Sequence, residues 1–129
     1  MKLPTLDEFI ARASKKFPHN SWVREPGFTA LYVRVSQRWI EGERRTMIDL
    51  ASIEAKRPGR GVFTKLVTRL RSQYPEFGLF VESILTERFE QGLSRMGFKL
   101  HGITTNDCPS YYLLPEVRTN EKTAAVNSP

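Results

Sequence analysis

Apolar and polar residues follow two different periods along this chain, and their order predicts a mixed α+β fold. Apolar residues spaced three and four apart, the period of an amphipathic helix, occur in three segments: residues 6–17, 62–71 and 85–96. Alternating or short continuous apolar runs, typical of strands, occur in five segments: residues 28–40, 45–55, 79–84, 98–103 and 111–114. Glu41-Gly42-Glu43 predicts a hairpin turn between the first two strands. Thr5 and Glu8 have the spacing of a capping box at the start of the first helix.

The order of these segments sets the topology of the sheet. A helix separates the strand at 45–55 from the strand at 79–84, so the sequence predicts one parallel pair inside a mostly antiparallel sheet. Residues 1–115 are expected to form one domain. The polar and aperiodic residues 116–129 are expected to form a disordered tail.

Composition narrows the class of protein. The 129 residues are enough for one core, and no apolar run approaches the length of a transmembrane span. The chain begins without an apolar signal core and has Cys108 as its single cysteine, so we expect a cytoplasmic protein without membrane contact or disulfides. His19 and His101 lack partners at metal-ligand spacing, so no metal site is expected. A formal net charge of +6 favours polyanionic partners.

The most informative segment is the basic turn at residues 56–61, which has the sequence Lys-Arg-Pro-Gly-Arg-Gly. An apolar strand precedes this turn and an amphipathic helix follows it directly. Free backbone N–H groups at the start of a helix bind phosphate, and Gly59 and Gly61 would let a ligand approach the backbone closely. Neither a P-loop nor a dinucleotide-binding fingerprint fits the sequence. A tight turn without a ligand is the alternative interpretation.

This turn and its surroundings resemble the GNAT N-acetyltransferase superfamily. Gly-Arg-Gly-Val at 59–62 lies where this family commonly has its pyrophosphate-binding turn, and Met-Gly-Phe at 96–98 matches a motif that frequently follows its last helix. The resemblance covers about residues 28–114. It implies a GNAT-like α+β fold, α/β/α-like, with a mixed, mostly antiparallel sheet flanked by helices. It also implies acetyl-CoA as the co-substrate, without a metal.

The resemblance further implies which residues bind acetyl-CoA. In the family, backbone groups of a splayed strand bind pantetheine, and the turn and the first helical residues bind pyrophosphate. The implied positions in this chain are Ala51, Ile53, Arg57, Gly59, Arg60, Gly61, Val62, Phe63 and Thr64. The chain departs from the family pattern at Pro58, where arginine or glutamine is usual. It also departs at Leu93, where many members have a tyrosine that acts as general acid.

Attack of an amine on a thioester needs a group that accepts the proton of the amine, and the resemblance implies a carboxylate that acts directly or through water. Glu82, near the end of a short strand that should flank the cleft, is the first candidate; a strand-end ion pair with an arginine is its alternative role. Glu54 and Asp49 are further candidates, which strand alternation places on opposite faces. Tyr111 or Tyr112 would replace the missing tyrosine as acid, and packing is the alternative role of both.

Three functions remain open from the sequence. The first is an acetyl-CoA-dependent N-acetyltransferase that acts in a ternary complex on an amine of a small molecule or protein, or on an amine linked to nucleic acid. The second is a non-catalytic GNAT-like binding module. The third is a small basic nucleic-acid-binding domain, since Tyr32, Arg34 and Arg38 share a parity along one strand, with Trp22 and Trp39 nearby.

Overall fold

The computed structural model of the chain describes residues 3–13, 19–57, 59–82, 87–103 and 109–115. Within these ranges the helices are Leu6–Ala13 (α1), Val62–Gln73 (α2) and Glu87–Arg95 (α3). The strands are His19–Trp22 (β1), Phe28–Ile40 (β2), Glu43–Ala55 (β3), Gly78–Val81 (β4), Lys99–Ile103 (β5) and Pro109–Leu113 (β6). All of these strands join one sheet in the order β1-β2-β3-β4-β6-β5.

The sheet has the mixed topology that the sequence predicts. β2 and β3 are antiparallel, whereas β3 and β4, which α2 connects, are parallel. β6 pairs antiparallel with both β4 and β5. Glu41 and Gly42 have φ values of 52° and 79°, the left-handed conformation that a two-residue hairpin turn between twisted strands requires. The fold class is therefore α+β, with a mostly antiparallel sheet and helices packed beside it.

The three helices pack on the same face of the sheet. Leu31, Val33 and Val35 alternate along β2 and join one apolar core with residues of α1, α2 and α3. The predicted capping box forms at the start of α1. The amide of Thr5 donates to the Glu8 carboxylate at 2.8 Å, and the amide of Glu8 donates to the Thr5 hydroxyl at 3.1 Å.

The opposite side, called the open face below, carries no helix within the described ranges. Its small apolar cluster consists of Ile40, Met47, Phe80 and Tyr112. Charged side chains of β2 and β3, among them Arg34, Arg38 and Asp49, also lie on this face. The two faces of the sheet therefore have different chemistry, apolar under the helices and largely polar on the open side.

Strand β1 is the element that the sequence prediction missed. Its residues, His-Asn-Ser-Trp, have no apolar alternation and low strand propensity. They form a strand because β2 extends far enough to offer an edge, with Asn20 opposite Arg34 and Trp22 opposite Tyr32. Pairing with a neighbour, which no local pattern reveals, decides the conformation of this segment.

Most other boundaries differ from the predicted ones by one or two residues, and β4 ends at Val81, three residues before its predicted end. α2 continues to Gln73, β3 begins at Glu43, and β6 spans Pro109–Leu113. The predicted helix stop at Gly97 is confirmed, since its φ is 97° and the Phe98 amide donates to the carbonyl of Leu93 at 3.0 Å. Parts of several predictions lie outside the described residues: 14–17, 83–86, 104–108 and 116–129.

Candidate functional site

The basic turn leaves the start of α2 without a capping side chain. Gly59 and Gly61 have φ values of 84° and 76°, a conformation that glycine adopts without strain. Gly61 is the N-cap, and the first turn of α2 contains no acidic residue. The amide of Lys65 donates to the Gly61 carbonyl at 3.0 Å and begins the ladder of the helix. The amides of residues 62–64 are thus the ones that the helix start presents to a ligand.

The surroundings of the turn favour an anion. A Cβ atom added at Gly59 or Gly61 would meet no atom within 4 Å, so the space beside both backbones is open. Lys56, Arg57 and Arg60 are exposed and make no ion pair with any residue that the structure describes. The positive end of the helix dipole and these free cations attract negative charge to the same place.

Packing and ion pairs hold the start of α2 in position. The ring of Phe63 contacts the ring edge of Phe89 in α3, with centroids 4.9 Å apart. Further along the helix, Arg69 donates to both oxygens of Glu25 at 2.7 Å and to Asp7 of α1 at 3.1 Å. These contacts fix the orientation of the helix, and Arg69 is bound to these carboxylates rather than free for a ligand.

β3 and β4 separate close to the basic turn. Their pairing ends at Leu50 and Val81, and the next amide, that of Glu82, donates to the Leu50 carbonyl over a long 3.4 Å. β3 nevertheless continues to Ala55. In the described ranges, residues 52–55 have a strand partner on the β2 side and none on the β4 side. This open edge exposes backbone donors and acceptors beside the basic turn.

A β-bulge at Ala51 changes which side chains share a face. Alternation along the sequence predicts that Asp49 and Glu54 point to opposite faces, and this prediction is wrong. Their partners in β2 are Arg34 and Ala30, which are four residues apart and lie on the same face. The extra residue Ala51 resets the alternation of β3 where it leaves β4, and bulges at such positions often re-aim side chains near functional sites.

Glu82 belongs to a group of charged and polar side chains that we call the open-face ion cluster. Its members are Arg34, Ser36, Arg38, Asp49 and Glu82. Asp49 is 0% exposed and accepts hydrogen bonds from Arg38 at 2.8 Å, Ser36 at 2.9 Å and Arg34 at 3.4 Å. Oε1 of Glu82 accepts from Arg38 at 2.8 Å and also from Arg34. Burial opposes the charge of Arg34, but Glu82 and Asp49 outweigh that effect and raise its pKa. Glu82 is therefore paired with arginine, as the alternative interpretation expected.

Tyr111 and Tyr112 lie on opposite faces of the sheet. Tyr111 belongs to the core under the helices, and its hydroxyl donates to Glu90 of α3 at 2.8 Å, a hydrogen bond that raises its pKa. Tyr112 lies on the open face and donates to Glu41 at 2.6 Å, which raises its pKa to about 12. Tyr111 is opposite Val81, the last residue of β4, so its position is nearer the separation of β3 and β4.

The remaining predicted residues differ in their surroundings. Ile53 and Val62 are partly buried against the core, whereas Thr64 is exposed. Leu93 is 0% exposed in the same core, so the position of the family's general acid is part of the apolar packing in this chain. Pro58 lies outside the described residues.

The open face also bears on the nucleic-acid hypothesis. Arg34 and Arg38 share a face as predicted, but Asp49 and Glu82 neutralise both of them. A surface with balanced charge attracts phosphate weakly. The ion pair of Glu82 with an arginine was among the predicted roles, but the buried pairing of Asp49 with Arg34 and Arg38 was not, because these partners lie 15 and 11 residues away along the chain. The signal that could have revealed it is Asp49 itself, a charged residue inside the apolar run Met-Ile-Asp-Leu.

The described ranges contain neither a candidate metal site nor a candidate membrane-spanning helix. No group of three or more histidine, cysteine, aspartate or glutamate side chains that could hold a metal ion is present there. No helix in the same part of the chain is both long and apolar enough to span a membrane. The open-face ion cluster brings together carboxylates, guanidinium groups and a hydroxyl, and the basic turn separately presents backbone amides.

No protein-family model and no curated protein matches the sequence. Two solved structures have similar backbones at low sequence identity. One is a mutant of the toxin AtaT bound to the C-terminus of the antitoxin AtaR and acetyl-CoA, with a TM-score of 0.48 and 16% identity over 78% of this chain and 63% of that chain. Another is the KacTA–DNA complex, with a TM-score of 0.44 and 18% identity over 95% of this chain and 82% of that one. The chain thus spans less than two thirds of the AtaT structure.

Proposed function

We propose that this protein is a GNAT-like N-acetyltransferase that transfers an acetyl group from acetyl-CoA to an amine. One observation carries the proposal: the uncapped start of α2, with its two left-handed glycines and free cations, adjoins the edge of β3 that β4 leaves unpaired. The first part suits a pyrophosphate and the second suits the amide groups of pantetheine. The two together match the chemistry of one ligand, acetyl-CoA.

The residues present fit acetyl-CoA. Open space beside Gly59 and Gly61 permits close approach of a phosphate to the backbone. Arg57 and Arg60 would offset its charge, and the edge of β3 would pair with pantetheine. The residues proposed to hold acetyl-CoA are Ala51, Ile53, Arg57, Gly59, Arg60, Gly61, Val62, Phe63 and Thr64.

When bound, acetyl-CoA would supply an acetyl group activated as a thioester. An acceptor that binds as an ammonium group first loses one proton, which Glu82 would accept, directly or through water, on Oε2, because Oε1 already binds two arginines. Attack of the neutral amine then replaces a C–S bond with a C–N bond and releases a second proton from nitrogen, and the departing thiolate takes up one proton, so each turnover releases one proton in all. Tyr111 would supply the proton that the thiolate takes up, after its hydroxyl leaves Glu90. The acceptor would be a cytoplasmic amine on a small molecule, a protein or a nucleic acid.

Acetyl-CoA should stabilise the folded protein, and a thermal melt tests this first. At about 100 times Kd the ligand contributes about 2.7 kcal/mol, which shifts the midpoint by several degrees for a domain of this size. Pantetheine, which lacks the phosphates, is the matched control and should shift the midpoint much less. A midpoint that does not move at millimolar acetyl-CoA would exclude the proposed co-substrate. Mass spectrometry of the purified protein would add the identity of any co-purified CoA.

A non-catalytic binding module is the second candidate, and two observations favour it. The general-acid position is the buried Leu93, and the first candidate base, Glu82, is held by two arginines. This candidate predicts the same shift with acetyl-CoA but no release of free thiol with any amine. A thiol-release assay on the same sample therefore separates the two functions.

A further inference from the structure

The open-face ion cluster differs from an ordinary surface ion pair, because the carboxylate at its centre is buried. Asp49 is 0% exposed, although the side chains of its partners Arg34 and Arg38 remain 34% and 27% exposed. A carboxylate buried this deeply requires its partners, so it fixes both guanidinium groups side by side. The ring of Phe80 lies 3.8 Å from the guanidinium carbon of Arg38 and sets the plane of that group. The cluster thus presents two arginines in a preset orientation at the surface.

Each of these arginines has one terminal nitrogen that binds none of the described residues. The hydrogen bonds to Asp49 and Glu82 use Nε and Nη2 of Arg34 and of Arg38. Their Nη1 groups have no partner in the described part of the chain. Partly exposed guanidinium groups that are already oriented are good donors to a carboxylate, since little side-chain entropy is lost on binding.

Glu82 places the opposite charge beside these donors. Its Oε1 accepts from both arginines, whereas its Oε2 has no partner among the residues described, and the side chain is 23% exposed. An ammonium group is the natural partner of such an oxygen. Because Glu82 follows the last residue of β4, that ammonium group would lie where β3 and β4 separate. A ligand with an amine and a carboxylate on one carbon matches both charges.

An aromatic pair borders the same surface. Tyr32 precedes Arg34 by two residues on β2 and therefore lies on the same face. Its ring centroid is 5.1 Å from that of Trp22, which is 46% exposed. These rings offer an apolar wall next to the charged groups, and such a wall favours a ligand with an aromatic side chain.

We propose that this surface is the acceptor site and that its ligand is a free aromatic α-amino acid. The amine would bind Oε2 of Glu82 and the carboxylate would bind Nη1 of Arg34 and Arg38. This inference rests on the proposed acetyl transfer, which gives the bound amine a reaction partner and the balanced step written above. Ligand binding itself is measured without acetyl-CoA, so the inference and the proposed function can fail separately.

Calorimetric titration of the full-length protein tests the proposal with three probes. L-phenylalanine should bind at least about tenfold more tightly than L-phenylalanine amide, which lacks the carboxylate, because a charged hydrogen bond contributes about this ratio or more. L-alanine, which keeps both charges and lacks the ring, should also bind more weakly than phenylalanine. Equal binding of acid and amide, equal binding of alanine and phenylalanine, or no binding of any probe at millimolar concentration would overturn the proposal.

The variant Arg34→Lys separates a role of Arg34 in ligand binding from a purely structural role. Lysine keeps a positive charge beside Asp49 but lacks the second donor of the planar fork. The variant should lose the preference for phenylalanine over its amide while its thermal shift with acetyl-CoA stays at the wild-type value. An unchanged preference in a folded variant would contradict the assignment of Arg34. If Arg34→Lys fails to fold, the comparison of acid and amide in the wild-type protein still decides the proposal.

Discussion

Arginines occupy two contrasting surroundings in this molecule. In the basic turn, Arg57 and Arg60 are exposed and have no ion-pair partner within the described ranges. In the open-face ion cluster, Arg34 and Arg38 bind a fully buried aspartate and a second carboxylate. The cluster cancels its own charge locally, whereas the turn keeps its charge available. The chain has a formal net charge of +6. Its positive charge is therefore available at the basic turn and is balanced by carboxylates on the hairpin of β2 and β3.

The largest effect is expected at Glu82, which belongs to the cluster but lies where β3 leaves β4. Glu82→Gln keeps an acceptor for the arginines and removes the ability to take a proton. We expect kcat/KM for acetyl transfer to fall by about 10²–10⁴ with a small change in the melt. The defect should shrink as the pH rises through the pKa of an α-amine acceptor, about 8, because more acceptor is then already neutral.

Steady-state rates and melts of Glu82→Gln, measured from pH 6 to pH 10, check this expectation. Glu76→Gln, an exposed change in the loop after α2, is the control and should leave both quantities at their wild-type values. A lower melting temperature together with a pH-independent defect would assign Glu82 to the structural cluster alone.

The next largest effect is a loss of stability when the open-face ion cluster is disrupted. Asp49→Ala leaves two arginines on the open face without their buried partner, so the free energy of unfolding should fall by about 3 kcal/mol. Arg60→Ala in the basic turn breaks no ion pair with any described residue and should change the free energy of unfolding by no more than about 0.5 kcal/mol. Urea unfolding of both variants gives the comparison. An equal loss of unfolding free energy in the two variants would contradict the contrast between the paired Asp49 and the unpaired Arg60.

Affinity for acetyl-CoA, unlike stability, should depend on the charges of the basic turn. The double change Arg57→Gln with Arg60→Gln removes two free cations, so affinity for acetyl-CoA should fall by about tenfold to a hundredfold. The free energy of unfolding without ligand should stay close to the wild-type value. Titration calorimetry at two salt concentrations measures the loss and should show weaker salt dependence in the variant. Unchanged affinity would separate the basic turn from acetyl-CoA binding.

The smallest effect comes from a matched pair of glycines. Gly61 and Gly42 have φ values of 76° and 79°, and a Cβ added at either would meet no atom within 4 Å. Alanine at each position should therefore cost a similar amount of stability, about 1–2 kcal/mol from the left-handed backbone. Only Gly61→Ala should also weaken acetyl-CoA binding, since its methyl group would lie in the space proposed for the pyrophosphate. Similar affinity for both variants would place the ligand elsewhere.

Much of the fold is predictable from short stretches of sequence. The capping box at Thr5 and Glu8, the hairpin turn at Glu41 and Gly42, and the helix stop at Gly97 are all confirmed. Each depends on contacts within a few residues or on a φ value that glycine favours. The separation of two strands by one helix also sufficed to predict the parallel pair of β3 and β4.

The site was less predictable, because its geometry depends on distant partners. The basic turn was found from its sequence, since two glycines, three cations and a helix start are adjacent along the chain. The bulge at Ala51 was not, and it moved Glu54 to the face of Asp49. Strand β1 also escaped prediction, because only the free edge of β2 makes it a strand.

The sequence by itself determined which segments other than β1 become helix or strand, where the chain turns and where a helix start without a capping side chain follows a run of basic residues. Those properties follow from periodicity and backbone preference, which are local. The tertiary structure decided which charges are cancelled and which face each tyrosine occupies. In the folded protein Arg34 and Arg38 form ion pairs with Asp49 and Glu82. The hydroxyl of Tyr111 donates a hydrogen bond to Glu90, and that of Tyr112 donates one to Glu41. Ion pairing depends on distances of a few ångströms between side chains, and those distances are set only when β2, β3 and β4 lie side by side.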